Sequence, residues 1–233
     1  MSDLVSIESI IPNKETALML AQREVSVLVH DSVLLEGINI TLPEVQTLLE
    51  GVTVGGHSLS DQQITLNQGN AWRYLFKSVK EGGFELASNF ACSIHEVAGK
   101  EEALEWGKFR SSGVTIAGTS YMPPDAALLS SLFEEMVATA SEIVDVYDRA
   151  IFVFLTMARQ QFFYDVNKRT GRLMMNGILL SNGYPALNLP ASRQLEFNQL
   201  MLDFYESGDQ SAMNRFMRTC IDRRVVKIMS EGV

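Results

Sequence analysis

Apolar residues recur at helical spacing through most of the chain. The clearest stripe lies within residues 124–147, and its members are Leu128, Leu129, Leu132, Phe133, Met136, Val137, Ala140, Val144 and Tyr147. Residues three and four positions apart share one face of an α-helix, so this stripe predicts a helix over 124–147. Pro123 and Pro124 stand at its start, and Asp125 lies where the helix dipole favours an anion.

The remaining apolar runs predict a chain built almost entirely of helices. Ser60 and Gln63 have the spacing of a capping box, and a helix is expected from there to the stop at residues 82–83, Gly-Gly. Residues 149–164 are nearly all apolar, as expected of a central helix surrounded by others. Further helices are predicted over about 13–35, 84–98, 169–182, 191–207 and 210–229. The expected fold class is therefore all-α.

Residues 112–121, SGVTIAGTSY, break the helical pattern. β-branched and small residues alternate around Gly118, which predicts a short β-hairpin or an extended flap. Because a hairpin of this size is not stable alone, it must pack on the helical body. It is either a packing appendage or a device that holds an extended peptide by strand addition, and the pattern favours neither.

Composition narrows the classes of partner. The 233 residues include 19 Lys and Arg against 28 Asp and Glu, a net charge of −9, which argues against nucleic acid as a general partner. Cys92 and Cys220 cannot form a disulfide framework and fit a reducing, cytoplasmic setting. The N-terminus lacks the basic region and apolar run of a signal peptide. The longest apolar stretch, AIFVFLTMA, is far shorter than the roughly 20 residues that span a bilayer, so no membrane partner is expected.

The segment QFFYDVNKRTGR, residues 161–172, concentrates charge between two apolar runs. Its polar side chains include Asp165, Asn167, Lys168, Arg169 and Arg172. A helix that begins near Lys168 would aim unpaired backbone N–H groups at this turn, and Arg169 and Arg172 would share one face. Such a cradle suits phosphates, and Asp165 could hold Mg²⁺ through one carboxylate. The alternative is a structural ion-pair network that joins two helices.

This segment resembles the motif of the Fic family, HPFx(D/E)GNxRxxR, and its common variant that ends in GNKRTGR. The matching residues are Phe163, Asp165, Asn167, Lys168, Arg169, Thr170, Gly171 and Arg172. Residues 107–124 resemble the family's flap region, and residues 176–187 resemble the segment that follows the motif. Residues 32–51 resemble the inhibitory region of members that carry their own N-terminal inhibitor.

The resemblance implies a Fic-type helical bundle with a small β-hairpin flap. It also implies transfer of AMP from ATP, with Mg²⁺, to a Ser, Thr or Tyr hydroxyl of a target protein. Asp165 would bind Mg²⁺, and Gln161, Asp165 and Asn167 would occupy the catalytic positions. The backbone amides of Val166, Asn167 and Lys168 would hold phosphates, and Arg169 and Arg172 would contact the β and γ phosphates. The flap residues Val114, Thr115, Ile116, Ala117 and Gly118 would align the target chain. A bacterial, cytoplasmic protein and a possible homodimer are further implications.

The same resemblance divides the chain into an N-terminal region, 1–55, and a Fic-like core domain, 56–233. An inhibitory helix is expected over about 13–37, and its motif (S/T)xxxE(G/N) matches Ser32, Glu36 and Gly37. In the family the inhibitory Glu pairs with the second motif Arg, here Arg172, and blocks the place of the γ-phosphate. A buried pair of this kind persists because loss of one partner strands a charge, at about 3–5 kcal/mol.

Three positions depart from the family motif. Gln161 replaces the His that acts as general base, and a primary amide can orient a hydroxyl but cannot take its proton. Phe162 replaces the family Pro, and Val166 replaces a Gly whose freedom at positive φ lets phosphate approach the backbone. These changes predict an adenylyltransferase-like protein that is inactive or weakly active.

Two other functions remain open from the sequence. One is an active nucleotidyl or phosphoryl transferase that uses a different base, and the other is a non-catalytic regulatory module that binds a protein through the flap. Lys168 is either a phosphate ligand or a solvated charge, and Asn176 either contacts nucleotide or makes structural hydrogen bonds. His95 is predicted to be a core or boundary histidine with satisfied hydrogen bonds.

Overall fold

The computed structural model describes residues 7–231. The first six residues of the predicted N-terminal region, 1–55, and the last two of the predicted core domain, 56–233, lie outside this range. Over this range the chain forms helices joined by turns and loops. The α-helices are α1 (Lys14–Arg23), α2 (Val25–Leu34), α3 (Leu42–Leu49), α4 (Leu59–Glu81), α5 (Ser88–Ala98), α6 (Leu129–Glu142), α7 (Val146–Gln160), α8 (Asn167–Ser181), α9 (Gln194–Ser207), α10 (Ser211–Arg218) and α11 (Arg223–Ser230). Short 3₁₀ turns cover Ile7–Ser9, Ala126–Leu128 and Ala191–Arg193. The all-α prediction is confirmed.

Local capping moves several predicted boundaries. The helix expected over 124–147 ends at Glu142, and Val144 is 93% exposed instead of buried. Asp145 begins the next helix, because its Oδ1 accepts a hydrogen bond from the N–H of Asp148 at 2.8 Å. The long N-terminal helix divides into two at Glu24.

The start of α4 and the end of the chain show the same effect. Ser58, and not Ser60, caps α4, since Ser58 Oγ accepts from the N–H of Asp61 at 3.0 Å. The helix predicted over 210–229 is two helices, and Asp222 caps the second through the N–H of Arg224 at 2.8 Å. A helix that the pattern did not predict, α3, has a capping box between Thr41 and Glu44.

Of the two alternatives predicted for residues 112–121, the β-hairpin was wrong, and the extended flap agrees with the structure. Residues 112–121 form an extended loop with a turn at 117–118, and no strand is present between residues 7 and 231. Gly118 takes a φ of 85°, which suits glycine, but no neighbouring segment pairs with the extended residues. The alternation of β-branched residues therefore reflects an extended backbone and not a hairpin.

Helices α7 and α8 form the centre of the molecule and position the motif turn. They pack against each other more extensively than any other pair, and α8 is buried over nearly its whole length. Gly171 permits this approach, because a Cβ there would lie 3.2 Å from the carbonyl oxygen of Phe154. Between residues 7 and 231, no helix is long and apolar enough to cross a membrane.

Candidate active site

The residues between α7 and α8 form a tight turn with two left-handed positions. Gln161 has a φ of 51° and ends α7, while Val166 has a φ of 59° and begins α8. Phe162 and Phe163 between them are fully buried among aromatic rings, including Phe109. The turn is therefore anchored in the core by its aromatic residues, and its polar side chains are placed by that anchor.

Asn167 fixes the path of this turn. Its Oδ1 accepts from the N–H of Phe163 at 2.9 Å, and its Nδ2 donates to the carbonyl of the same residue at 2.8 Å. The side chain is 4% exposed, so these bonds are made in a region of low dielectric. Asn167 thus has a structural role that the sequence did not reveal.

Gln161 stands where the motif that the sequence resembles has a histidine, and both ends of its amide are engaged. Its Nε2 donates to the carbonyl of Ala158 at 2.6 Å, and its Oε1 accepts from Nδ2 of Asn167 at 2.9 Å. An amide in these bonds offers no basic nitrogen to an incoming hydroxyl.

Val166 occupies the left-handed conformation that glycine would adopt freely. A β-branched residue there is strained, at a cost of order 1–3 kcal/mol. Its side chain is 3% exposed and packs in the core, so it does not enter the space in front of the turn. Val166 therefore keeps a glycine-like backbone conformation, because core packing holds it. The neighbouring Asp165 is exposed, and its Oδ1 accepts from the N–H of Val166 at 2.7 Å.

Arg169 is buried and bound to a partner that the sequence did not predict. Its Nη1 donates to Oε2 of Glu102 at 2.8 Å, and its Nη2 donates to Oε1 of the same carboxylate. Burial alone would lower the pKa of Arg169, but the bonds to Glu102 and the charge of Glu36 raise it. Since Glu102 lies 67 residues earlier, no local pattern identifies it.

Arg172 has weaker partners. Its Nη2 donates to Ser32 Oγ at 3.1 Å and lies 3.7 Å from Oε1 of Glu36. Among the described residues, Nη1 of Arg172 has no hydrogen-bond partner. Burial lowers the pKa of Arg172 to about 10. The residues of the N-terminal motif thus lie against the second motif arginine.

Glu36 faces three cations at once. Its carboxylate lies 3.8 Å from Nζ of Lys168 and 4.0 Å from Nε of Arg169, in addition to the contact with Arg172. Burial by itself would raise the pKa of Glu36, but the three cations outweigh burial and lower it. Gly37, with a φ of 85°, follows Glu36 and ends the turn after α2. Lys168 is therefore half-buried and paired, and not simply solvated.

A cavity of about 630 Å³ opens in front of the turn, between the flap and α9. It is lined by Thr115, Ile116, Ala117, Gly118, Gln161, Tyr164, Asp165, Lys168, Phe197, Asn198, Met201, Leu202 and Tyr205. Most of the flap residues predicted from the sequence thus meet Gln161, Asp165 and Lys168 at one cavity. The sequence did not indicate the contribution of α9, because its polar residues carry no motif.

Arg110 joins the flap to the motif turn. This buried side chain donates to the carbonyl oxygens of Gln161 at 2.6 Å, Ser112 at 2.7 Å and Pro124 at 2.6 Å. The carbonyl of Gln161 lies at the end of α7, where helical carbonyls lack partners. Both ends of the flap and the last turn of α7 are thus held by one guanidinium.

His95 supports the turn from beneath, as the prediction of a satisfied histidine requires. It is fully buried and stacks on Phe163 with ring centroids 3.8 Å apart. Its Nδ1 accepts from the N–H of Gly107 at 3.2 Å, so Nε2 carries the proton and donates to the carbonyl of Asp165 at 3.2 Å. Burial lowers the pKa of His95 to about 4, and the ring is neutral.

Asn176 is structural. Its Oδ1 accepts from the N–H of Leu187 at 2.7 Å, and its Nδ2 donates to the carbonyl oxygens of Leu187 and Arg172. These bonds tie the segment after α8 back to the helix, and Asn176 does not line the cavity at the motif turn.

This geometry accompanies a match to a known family. Residues 85–179 match the model of the Fic/DOC family. Protein adenylyltransferase Fic of Drosophila persimilis is 28% identical over 201 residues, which make up 84% of this chain and 39% of the relative. The protein of the same name from Drosophila melanogaster is 27% identical over 201 residues. The chain spans about two fifths of the length of these curated relatives.

Solved structures share the fold. Fic-1 from C. elegans has a TM-score of 0.74 at 20% identity, over 88% of this chain and 61% of that chain. A Fic domain containing signaling protein from Bacteroides thetaiotaomicron has a TM-score of 0.77 at 15% identity, over 96% of this chain and 92% of that chain. The helical architecture is therefore the Fic fold.

Proposed function

We propose that this chain is a Fic-type adenylyltransferase domain that has lost efficient transfer of AMP. In the reaction of such a domain, a hydroxyl oxygen attacks the α-phosphorus of ATP, the bond to the β-phosphate breaks, and pyrophosphate leaves. The hydroxyl proton must pass to a base. The observation that carries the proposal is the engaged amide of Gln161, which stands beside the cavity in the place of that base.

The nucleotide would lie in the cavity in front of the turn. A volume of about 630 Å³ is in the range of small-molecule sites. The start of α8 supplies backbone N–H groups and the positive end of its dipole, and Lys168 lines the cavity. The name of the Drosophila relatives, protein adenylyltransferase, supports AMP as the transferred group.

Mg²⁺ would be held by Asp165 together with phosphate oxygens. The carboxylate is exposed at the cavity, and only its Oδ1 is engaged by a hydrogen bond among residues 7–231. Because Mg²⁺ is commonly bound through one or two carboxylates plus substrate phosphates, a single Asp fits this role. The ion would neutralise charge on the phosphates.

We also propose that Ser32, Glu36 and Gly37 restrain the site. The contacts of Ser32 and Glu36 with Arg172 support this proposal, because an anion beside that arginine would compete with a phosphate. This function belongs to the proposed N-terminal region, 1–55, whose helix α2 packs on α4 of the proposed core domain, 56–233.

A protein segment would dock along the flap. Between residues 7 and 231, no backbone hydrogen bond of residues 113–118 is made to another segment, so this stretch is free to pair with an extended peptide. Its residues reach the same cavity as Gln161. The same observation favours the second candidate function, a non-catalytic module that binds a protein through the flap. The target protein and a homodimer stay predictions, as does a cytoplasmic setting, which the free thiols of Cys92 and Cys220 support.

A replacement imidazole is disfavoured. His95 is buried beneath the turn with both ring nitrogens engaged, His57 lies 3.2 Å from Glu44, and His30 lies beside Asp31. None of the three lines the cavity at the motif turn.

The experiment is a transfer assay with ATP labelled at the α-phosphate and Mg²⁺. We expect no detectable label on the chain itself or on proteins of a lysate. Robust labelling that disappears in both Asp165→Ala and Arg169→Ala would contradict the proposed loss of activity. A parallel titration by calorimetry measures whether Mg-ATP binds.

A further inference from the structure

The end-on edge of the Arg169 guanidinium is bound by a carboxylate of the same chain. Nη1 and Nη2, the two nitrogens that form the end-on edge, both donate to the carboxylate of Glu102. Nε, on the side-on edge, faces Oε1 of Glu36 at 4.0 Å and has no hydrogen-bond partner within residues 7–231. Carboxylates of the chain itself therefore stand at both edges that a phosphate could use.

The two carboxylates differ in how firmly they hold their arginines. Glu102 makes two charge-assisted hydrogen bonds to Arg169, whose side chain is 2% exposed. Glu36 approaches its cations only at 3.7–4.0 Å, beyond hydrogen-bond distance, and its side chain is 23% exposed. The firmer contact at this site is thus the one made by Glu102.

Glu102 comes from a part of the chain that is separate from the proposed N-terminal restraint. It lies in the turn after α5, where its N–H donates to the carbonyl of Gly99 at 3.1 Å. Its neighbour Glu101 is exposed, and the Glu102 side chain itself is 17% exposed. Glu102 therefore holds Arg169 from a segment other than α2, the helix that precedes Glu36.

We propose that Glu102 is a second internal competitor for the phosphate site and sets its affinity for polyphosphates. A phosphate and a carboxylate require the same planar pair of donors, so a polyphosphate that binds Arg169 end-on must displace Glu102. The inference rests on the proposed nucleotide function. It implies that removal of Glu36 alone leaves the first motif arginine blocked.

The test is calorimetry with two probes, inorganic tripolyphosphate and Mg-ATP. It compares the unaltered chain with Glu102→Gln, Glu36→Gln, and the control Glu101→Gln, which removes an equal charge one residue away. We expect Glu102→Gln to bind tripolyphosphate at least about tenfold more tightly, the effect of freeing charge-assisted hydrogen bonds, and Glu101→Gln to match the unaltered chain. Glu36→Gln should give a smaller gain than Glu102→Gln.

Two outcomes separate this inference from the proposed function. Equal affinity in the unaltered chain and Glu102→Gln, with binding lost in Arg169→Ala, leaves nucleotide binding intact and overturns the role of Glu102. Absence of binding of both probes to every variant, including Glu36→Gln combined with Glu102→Gln, contradicts the nucleotide function itself.

A further variant guards against loss of folding. Glu102→Asp keeps the charge but shortens the side chain by one methylene, which weakens the end-on geometry without stranding Arg169. We expect the circular dichroism spectrum of Glu102→Asp to match that of the unaltered chain. Its affinity for tripolyphosphate should lie between the affinities of the unaltered chain and of Glu102→Gln. If Glu102→Gln does not fold, Glu102→Asp decides the question. Folded Glu102→Asp with the same affinity as the unaltered chain overturns the proposal.

Discussion

Nδ2 of Asn167 donates a hydrogen bond to Oε1 of Gln161 at 2.9 Å, across the turn that joins the two central helices. The same Asn167 fixes the backbone of Phe163, so Gln161 belongs to the network that shapes the turn. Under the proposed function Gln161 replaces a general base, and its amide here is part of the architecture of the turn. Asp165 and Lys168 line the cavity beside Gln161, and the amide of Gln161 offers no basic nitrogen there.

Restoring the histidine alone should restore little activity. In Gln161→His, Glu36 and Glu102 still lie on the arginines that would bind phosphates. We expect label incorporation from Mg-ATP within a few-fold of background, measured as an initial rate. Strong transfer from this single change would show that neither carboxylate obstructs the site.

Freeing Arg172 should strengthen ATP binding modestly. Glu36 is partly exposed and contacts its cations at 3.7–4.0 Å, and pairs of this kind contribute up to about 1 kcal/mol. We therefore expect Glu36→Gly to raise the affinity for ATP by about three- to fivefold in calorimetry. Glu36→Gln is the matched variant, since it removes the charge and keeps the side chain. Identical ATP affinities in the unaltered chain, Glu36→Gly and Glu36→Gln would show that Glu36 does not weaken ATP binding.

Arg110 should determine the order of the flap. Arg110→Lys keeps a charge but cannot satisfy three carbonyl oxygens, so we expect the free energy of unfolding to fall by about 2–4 kcal/mol. Hydrogen exchange of residues 112–124 should accelerate. Arg73→Lys is the control, because the exposed Arg73 also donates to a carbonyl, that of Leu49, and its loss should cost about 0.5 kcal/mol or less. Unchanged exchange in Arg110→Lys would refute this tie between flap and turn.

The stability of the protein should decline in mild acid because of His95. Burial holds its pKa at about 4, below the ordinary 6.5, so the unfolded chain binds more protons in this window. The free energy of unfolding should therefore fall as the pH is lowered from 6.5 to 4, by about 3 kcal/mol for a shift of this size. Arg169 adds to the depression of the pKa, while the charge and the carbonyl of Asp165 oppose it.

The measurement is urea denaturation at several pH values between 7 and 4.5, on the unaltered chain and on His95→Gln. The difference in unfolding free energy between the two proteins should shrink as the pH falls. Hydrogen bonds from Thr41 are the chief reason that the pKa of Glu44 is held at about 2. Glu44 therefore changes the unfolding free energy only below this pH window, and by the same amount in both proteins. A constant difference across the range would mean that His95 does not titrate on unfolding.

The existence of most helices could be predicted from periodicity, but their ends could not. Caps made by Ser58 and Asp145 each satisfy orphan N–H groups, and several residues of the same type nearby could have done so. The flap shows a different limit, since alternation of residues 112–121 indicates an extended backbone but does not supply a partner strand.

The sequence predicted those residues of the candidate site that lie close together along the chain. Asp165 and Lys168 come from one segment, and their meeting at the cavity follows from a turn before a helix. Glu102 and Arg110 were missed because their contacts span 67 and 51 residues, and no spacing rule connects such positions. The positive φ of Val166 was also unexpected, because core burial overrides the preference of a β-branched residue.

The central claim is that Gln161 replaces a general base. Its most direct test first removes the carboxylates of Glu36 and Glu102. In a chain with Glu36→Gly and Glu102→Gln, label transfer from Mg-ATP is compared with and without Gln161→His, at saturating nucleotide. We predict that the histidine raises the rate by about 10²–10⁴, the usual contribution of a general base. Equal rates in the two proteins, both well above background, would contradict the claim that Gln161 deprives this domain of its catalyst.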